Sequence, residues 1–132
     1  TFTTTGTKYT NTSATVGKTY YYYVEAITAN GTSVKSNTVS RTCDLPRPEV
    51  SVSRNNSGKP VLRWDRISGA DEYTVYVYNA SGNLIRTADT DSTRMTHNSA
   101  VAGNTYKYRV VAEHERDAAD SAKSTTVSIK AK

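Results

Sequence analysis

The chain has 132 residues, 36% hydrophobic, 9% aromatic and 22% charged, a length suited to one domain or one and a half small ones. Its 17 Lys+Arg against 12 Asp+Glu give +5, but the signs alternate along the chain, so neither a basic arm nor a nucleic-acid motif is legible. No apolar run approaches the ~20 residues of a membrane-spanning helix, and one cysteine with two distant histidines excludes an internal disulfide and a closed zinc site.

From the N-terminus, Thr1-Phe2-Thr3-Thr4-Thr5 lacks the basic start and apolar stretch of a secretion signal, so a soluble chain is expected, with any export signal outside it. Tyr20, Tyr22, Val24 and Ala26 then alternate with Tyr21, Tyr23 and Glu25, the two-residue period of a strand. This region recurs downstream. Lys8 to Tyr20 aligns without a gap on Arg94 to Tyr106, an offset of 86 that continues to Ala26 over Ala112. Lys35-Ser36-Asn37-Thr38-Val39-Ser40 then aligns on Lys123-Ser124-Thr125-Thr126-Val127-Ser128 at an offset of 88. Such internal repetition marks a repeat unit of about 86 to 88 residues. Residues 46–132 hold a whole copy, and residues 1–45 hold the second half of another. Phe2, Tyr20, Tyr22, Val24 and Ala26 face strands that the half copy lacks, so its core falls short on its own. It is expected to be ordered only when upstream sequence or another chain completes it.

Cys43 ends the last strand of the half copy, where it reads as a small hydrophobe at a strand end or as an intermolecular disulfide partner. In Asp44-Leu45-Pro46-Arg47-Pro48 two prolines fix φ and remove two donors, so a short stiff connector begins there.

In the complete copy, alternating runs recur every 8 to 12 residues between turn signals. Val50 and Val52 form the first, and Asn55-Asn56-Ser57-Gly58 turns the chain into Pro60 to Trp64. Strands follow at Glu72 to Tyr78, Leu84 to Thr87, Thr93 to His97, Thr105 to Glu113 and Lys123 to Lys130. Alternation assigns Val50, Val52, Leu62, Trp64, Ile67, Tyr73, Val75, Val77, Tyr106, Tyr108, Val110, Ala112, Val127 and Ile129 to the interior.

Leu62-Arg63-Trp64, Gly69 to Tyr76 (GADEYTVY) and Ala102 to Ala112 (AGNTYKYRVVA) resemble the strand B, C and F signatures of fibronectin type III repeats, in particular those of secreted and surface proteins of Gram-positive bacteria. The resemblance covers residues 46–132 as a full repeat and residues 1–43 as the E, F and G strands of a preceding one. It implies an all-β, immunoglobulin-like antiparallel sandwich, with Trp64 as core tryptophan and Tyr106 and Tyr20 as corner tyrosines whose hydroxyls tie back to nearby backbone. Ala14 and Ala100 depart from the family's usual leucine before the strand F turn.

Tyrosine is over-used, 10 residues against one Phe and one Trp. Tyr21, Tyr23, Tyr76 and Tyr78 point outward by parity. In a sandwich of this type strands C and F are neighbours, which puts Tyr76 and Tyr78 beside Lys107, Arg109 and Val111. The candidate binding face is therefore Tyr76, Tyr78, Lys107, Arg109, Tyr21 and Tyr23, able to stack on a sugar or dock a protein. The same groups also fit cross-strand pairs that merely stabilise a solvated face.

No Gly-x-Ser-x-Gly elbow is present, and His97 and His114 fall on different strands. His114-Glu115-Arg116-Asp117 reads as a strand-connecting tip. A catalytic reading would need Asp117 to orient His114, or Asp120 to share a metal with it, and nothing in the sequence closes such a site. Asp89-Thr90-Asp91-Ser92-Thr93 lacks the glycine of an EF-hand calcium loop and reads as a polar turn. No catalytic residue, cofactor or metal is expected. The resemblance implies a non-catalytic module of a bacterial secreted or cell-surface protein, a spacer or scaffold with a part in adhesion, partnered by other domains of the same polypeptide and without nucleic acid or membrane insertion; the alternative is a ligand-binding module that takes a surface glycan or protein on the Tyr/Arg face.

Overall fold

Alternation of apolar and polar side chains gives the chain its strands. The computed structural model describes residues 1–115 and 119–132 and divides into two units, Thr1–Cys43 and Asp44–Lys132. In the first, β1 (Thr19–Tyr22) pairs antiparallel with β4 (Val39–Thr42), and β2 (Ile27–Thr28) with β3 (Gly31–Thr32). The apolar side chains there are largely uncovered: Phe2 is 66% and Val24 72% exposed.

The second unit has two open antiparallel sheets. One runs β5 (Val50–Arg54), β6 (Pro60–Trp64), β9 (Arg94–Thr96); the other has the order β11-β10-β7-β8, with β7 (Glu72–Tyr78), β8 (Leu84–Thr90), β10 (Thr105–Glu113) and β11 (Val127–Lys130). This is the immunoglobulin-like β-sandwich that the resemblance implies. Between the sheets, Leu62 and Trp64 meet Tyr73, Val75, Val77, Tyr106, Tyr108, Val110 and Ala112, all buried. Each large side chain so enclosed contributes ~1.5–3 kcal/mol. Trp64 is 5% exposed, its ring edge-on to Tyr73 with centroids 5.4 Å apart. Val50, Val52, Val127 and Ile129 are only half-buried, because β5 and β11 lie at sheet edges.

Three expectations need correction. Asp89 and Thr90 belong to the end of β8, so the polar turn begins only after them. His97 lies just beyond β9, buried, its N–H donating to the Pro60 carbonyl, and His114 follows β10 outside any strand. Finally, β11 starts at Val127 and not at Lys123. In the missing part serine hydroxyls replace carbonyls as acceptors. Val110 N–H donates to Ser124 Oγ at 2.9 Å and Ala112 N–H to Ser121 Oγ at 2.8 Å, while the serine N–H groups donate back to the Val110 and Ala112 carbonyls.

Candidate functional site

The two central strands of the four-stranded sheet carry four of the candidate residues. β7 and β10 pair with Lys107 opposite Tyr78 and Arg109 opposite Tyr76, so the register reading of the sequence matches the geometry. All four side chains are half-buried. Thr87 of β8 extends the Tyr76–Arg109 row and Ser128 of β11 the Tyr78–Lys107 row. Val111, expected on this exposed face, is buried instead.

Lys123, which the sequence reading did not single out, completes the cluster. Its ammonium sits 3.8 Å from the Tyr76 ring centroid, a cation–π contact worth ~0.5–1 kcal/mol at an exposed site. The ring is thus already capped, and a sugar stacking on it would have to displace Lys123. Arg109 Nε is buried and has no hydrogen-bond partner among the described residues. At the other end of the same face the Thr74 hydroxyl lies between Asp89, at 2.9 Å, and Glu113. Cations gather at one end of the face and carboxylates at the other.

Tyr21 and Tyr23 belong to the smaller unit, where Tyr21 is 73% exposed and Lys35 lies 4.3 Å from the Tyr23 centroid. Tyr23 holds the Lys35 ammonium in its charged form, raising its pKa. Lys35 and Lys123 are equivalent in the repeat, and that alignment was the available signal for Lys123. The candidate set is therefore divided between the two units, four residues on one and two on the other.

The repeat extends to hydrogen bonds. Tyr106 Oη accepts from Val101 N–H at 3.0 Å and Tyr20 Oη from Thr15 N–H at 2.9 Å, the corner ties that the resemblance implies. The Thr15 contact holds the Tyr20 phenol below its ordinary pKa. His97 Nδ1 lies 2.9 Å from the Tyr108 hydroxyl, and Asn11 Nδ2 donates to the Tyr22 hydroxyl at 3.3 Å. Burial pushes the Tyr108 phenol far up. Val24 and Ala26 donate to the Ser36 and Ser33 hydroxyls as Val110 and Ala112 do to Ser124 and Ser121. Cys43, a free thiol, exchanges backbone bonds with Gly17 and Lys18 as Ala131 does with Gly103 and Asn104. Its position is one that a small side chain fills in the other copy.

His114 donates its backbone N–H to Asp120 Oδ1 at 2.8 Å, so Asp120 is bonded to the main chain of His114. Asp117 lies outside the described residues. Among the described residues no three His, Cys, Asp or Glu side chains converge on a metal-sized site.

No protein-family model and no curated protein matches the chain. Solved structures do. An Fn3-like protein from Clostridium thermocellum is 26% identical with a TM-score of 0.52, over 65% of this chain and 90% of that one. The FN1–FN3 domains of chicken CNTN1 are 18% identical with a TM-score of 0.56, over 93% of this chain and 44% of that one. A chicken interferon gamma receptor alpha chain is 15% identical with a TM-score of 0.61, over 88% and 67%. The chain thus spans less than half of some structures that it matches, 17% in one multidomain case. The fold is that of fibronectin type III domains.

Proposed function

We propose that the chain is a non-catalytic, fibronectin type III-like part of an exported or cell-surface protein, of bacterial type, that spaces and orients neighbouring domains of the same polypeptide. In this reading residues 46–132 are one repeat and residues 1–45 the trailing half of a preceding one with its linker. The observation that supports it most is the reuse of one set of ties in both units: corner tyrosine, Asn11 or His97 on a tyrosine hydroxyl, and serine hydroxyls on strand N–H groups. A tandem array exchanges neighbours readily because each unit folds by itself. Expression of residues 44–132 alone tests this. A cooperative urea transition at the midpoint of that unit in the full chain supports independence; a large drop in midpoint refutes it.

A second reading, in which the face around Tyr76 and Arg109 binds a ligand, is favoured by the three cations gathered there beside two tyrosines. A glycan array and a screen of surface proteins, each run with the native chain and Tyr76→Ala, test it. A signal lost in the variant supports binding at this face, and an unchanged signal excludes it.

A further inference from the structure

We propose that the outer face of the β7–β10 pair binds an extended acidic segment of a partner protein, with Lys107, Arg109 and Lys123 taking its carboxylates and Tyr76 and Tyr78 flanking its backbone. The proposal rests on the ligand-binding reading and gives it a chemistry.

Charge is the first reason. In the strand register Lys107 and Arg109 stand opposite tyrosines and Lys123 lies over one, while the carboxylates described on this face, Glu72, Asp89 and Glu113, gather at its opposite end, two of them around Thr74. Arg109 has its Nε enclosed with no acceptor among the described residues, and a carboxylate that reached its guanidinium would supply one. A charged donor left so in a folded protein is costly, and an arriving carboxylate offsets that cost. The fork of a guanidinium suits a carboxylate in particular.

Spacing is the second reason. Lys107 and Arg109 lie two residues apart on one strand face, roughly 6.8 Å in an antiparallel strand. An extended peptide with acids at alternate positions presents carboxylates at the same repeat, so both cations are met without bending either chain. Tyr78 and Tyr76 stand directly across from those two residues, and tyrosine with arginine is the pairing that carries protein interfaces. A neutral glycan lacks the charges, and the ring that it would stack on is covered by Lys123.

The test is an NMR titration of the isotope-labelled full chain with a peptide of alternating Glu and Thr, against a control peptide of alternating Gln and Thr. Expected are saturable binding by the acidic peptide alone, weakening with salt, amide shifts confined to β7, β10 and Lys123, and movement of the Arg109 Nε–H resonance. Arg109→Gln should weaken binding about tenfold or more, the loss of one charged contact. Lys123→Gln, a surface change that leaves the fold intact, should weaken it by several-fold. No saturable binding, shifts centred on Arg63 and Arg94 of the other sheet, or unchanged affinity in both variants would overturn the proposal. An uncharged polysaccharide that binds at Tyr76 while the acidic peptide does not would also overturn it, yet leave the ligand-binding reading standing.

Discussion

His97 places an imidazole where the first unit has Asn11, and the substitution brings a proton-dependent term into the core. Its ring is buried, within hydrogen-bond reach of the Tyr108 hydroxyl and edge-on to Tyr106 at 4.7 Å. Burial lowers its pKa first, and the positive charges of Arg86 and Lys59 lower it further. The folded chain therefore holds the neutral ring, while the unfolded chain takes up a proton as pH falls through about 6.5. Stability is fully present above that pH and declines below it. His97→Asn supplies the amide that serves Tyr22 in the first unit and removes the titration. Urea midpoints at about pH 7 and pH 5 should separate strongly in the native chain and much less in the variant; equal separations would exclude His97 as the source.

At the scale of elements, Trp64, Val75, Val77, Tyr108 and Val110 could be assigned to the interior from the sequence because the inward parity of strands with neighbours on both sides is covered throughout, although Val61, Thr74 and Val111 of the opposite parity are buried as well. The edges were less legible. Val50, Val52, Val127 and Ile129 obey the alternation but are half-covered, since parity tells which way a side chain points and not what stands opposite. The late start of β11 was hidden for a different reason. Ser124 reads as a strand residue, yet its hydroxyl, like that of Ser121 before it, competes with carbonyls for the N–H groups of β10. Lys123, carried on that serine segment, was not placed on the face with Lys107 and Arg109, so its contact with the Tyr76 ring was not legible. Ser124→Ala strands the buried N–H of Val110 and should cost ~1–3 kcal/mol in urea denaturation. Ser36→Ala, whose partner Val24 is open to water, should change stability by no more than about 0.5 kcal/mol. Equal effects would show that the hydroxyl bond does not matter to the sheet.

For the whole of the larger unit, the two ends of the chain are fixed at opposite poles. Leu45 N–H donates to Ala119 carbonyl at 2.7 Å near the finish of β10, whereas Lys132 N–H donates to Gly58 carbonyl at 3.0 Å near its start, where Gly103 also meets Ala131. Gly58 has φ +74, and a Cβ there would lie 2.1 Å from the Lys132 carbonyl oxygen. Gly58→Ala thus combines a left-handed backbone, costing ~1–2 kcal/mol, with a backbone collision. Gly82→Ala, at φ +90 with nothing within 4 Å, provides the backbone cost alone. Gly58→Ala should be the more destabilising in thermal melts, and parity between the two would mean that the final residues are not held.

Arg54 Nε donates to the Lys130 carbonyl at 2.7 Å, so β5 and β11 finish side by side at the same pole and run in the same direction. If tension were applied through Leu45 and Lys132, it would draw β5 one way and β11 the other. The backbone bonds of the β5–β6 and β10–β11 pairs would be loaded lengthwise and together, and would not unzip one at a time. A spacer stretched between anchored neighbours would then hold its length until it yielded in a single step.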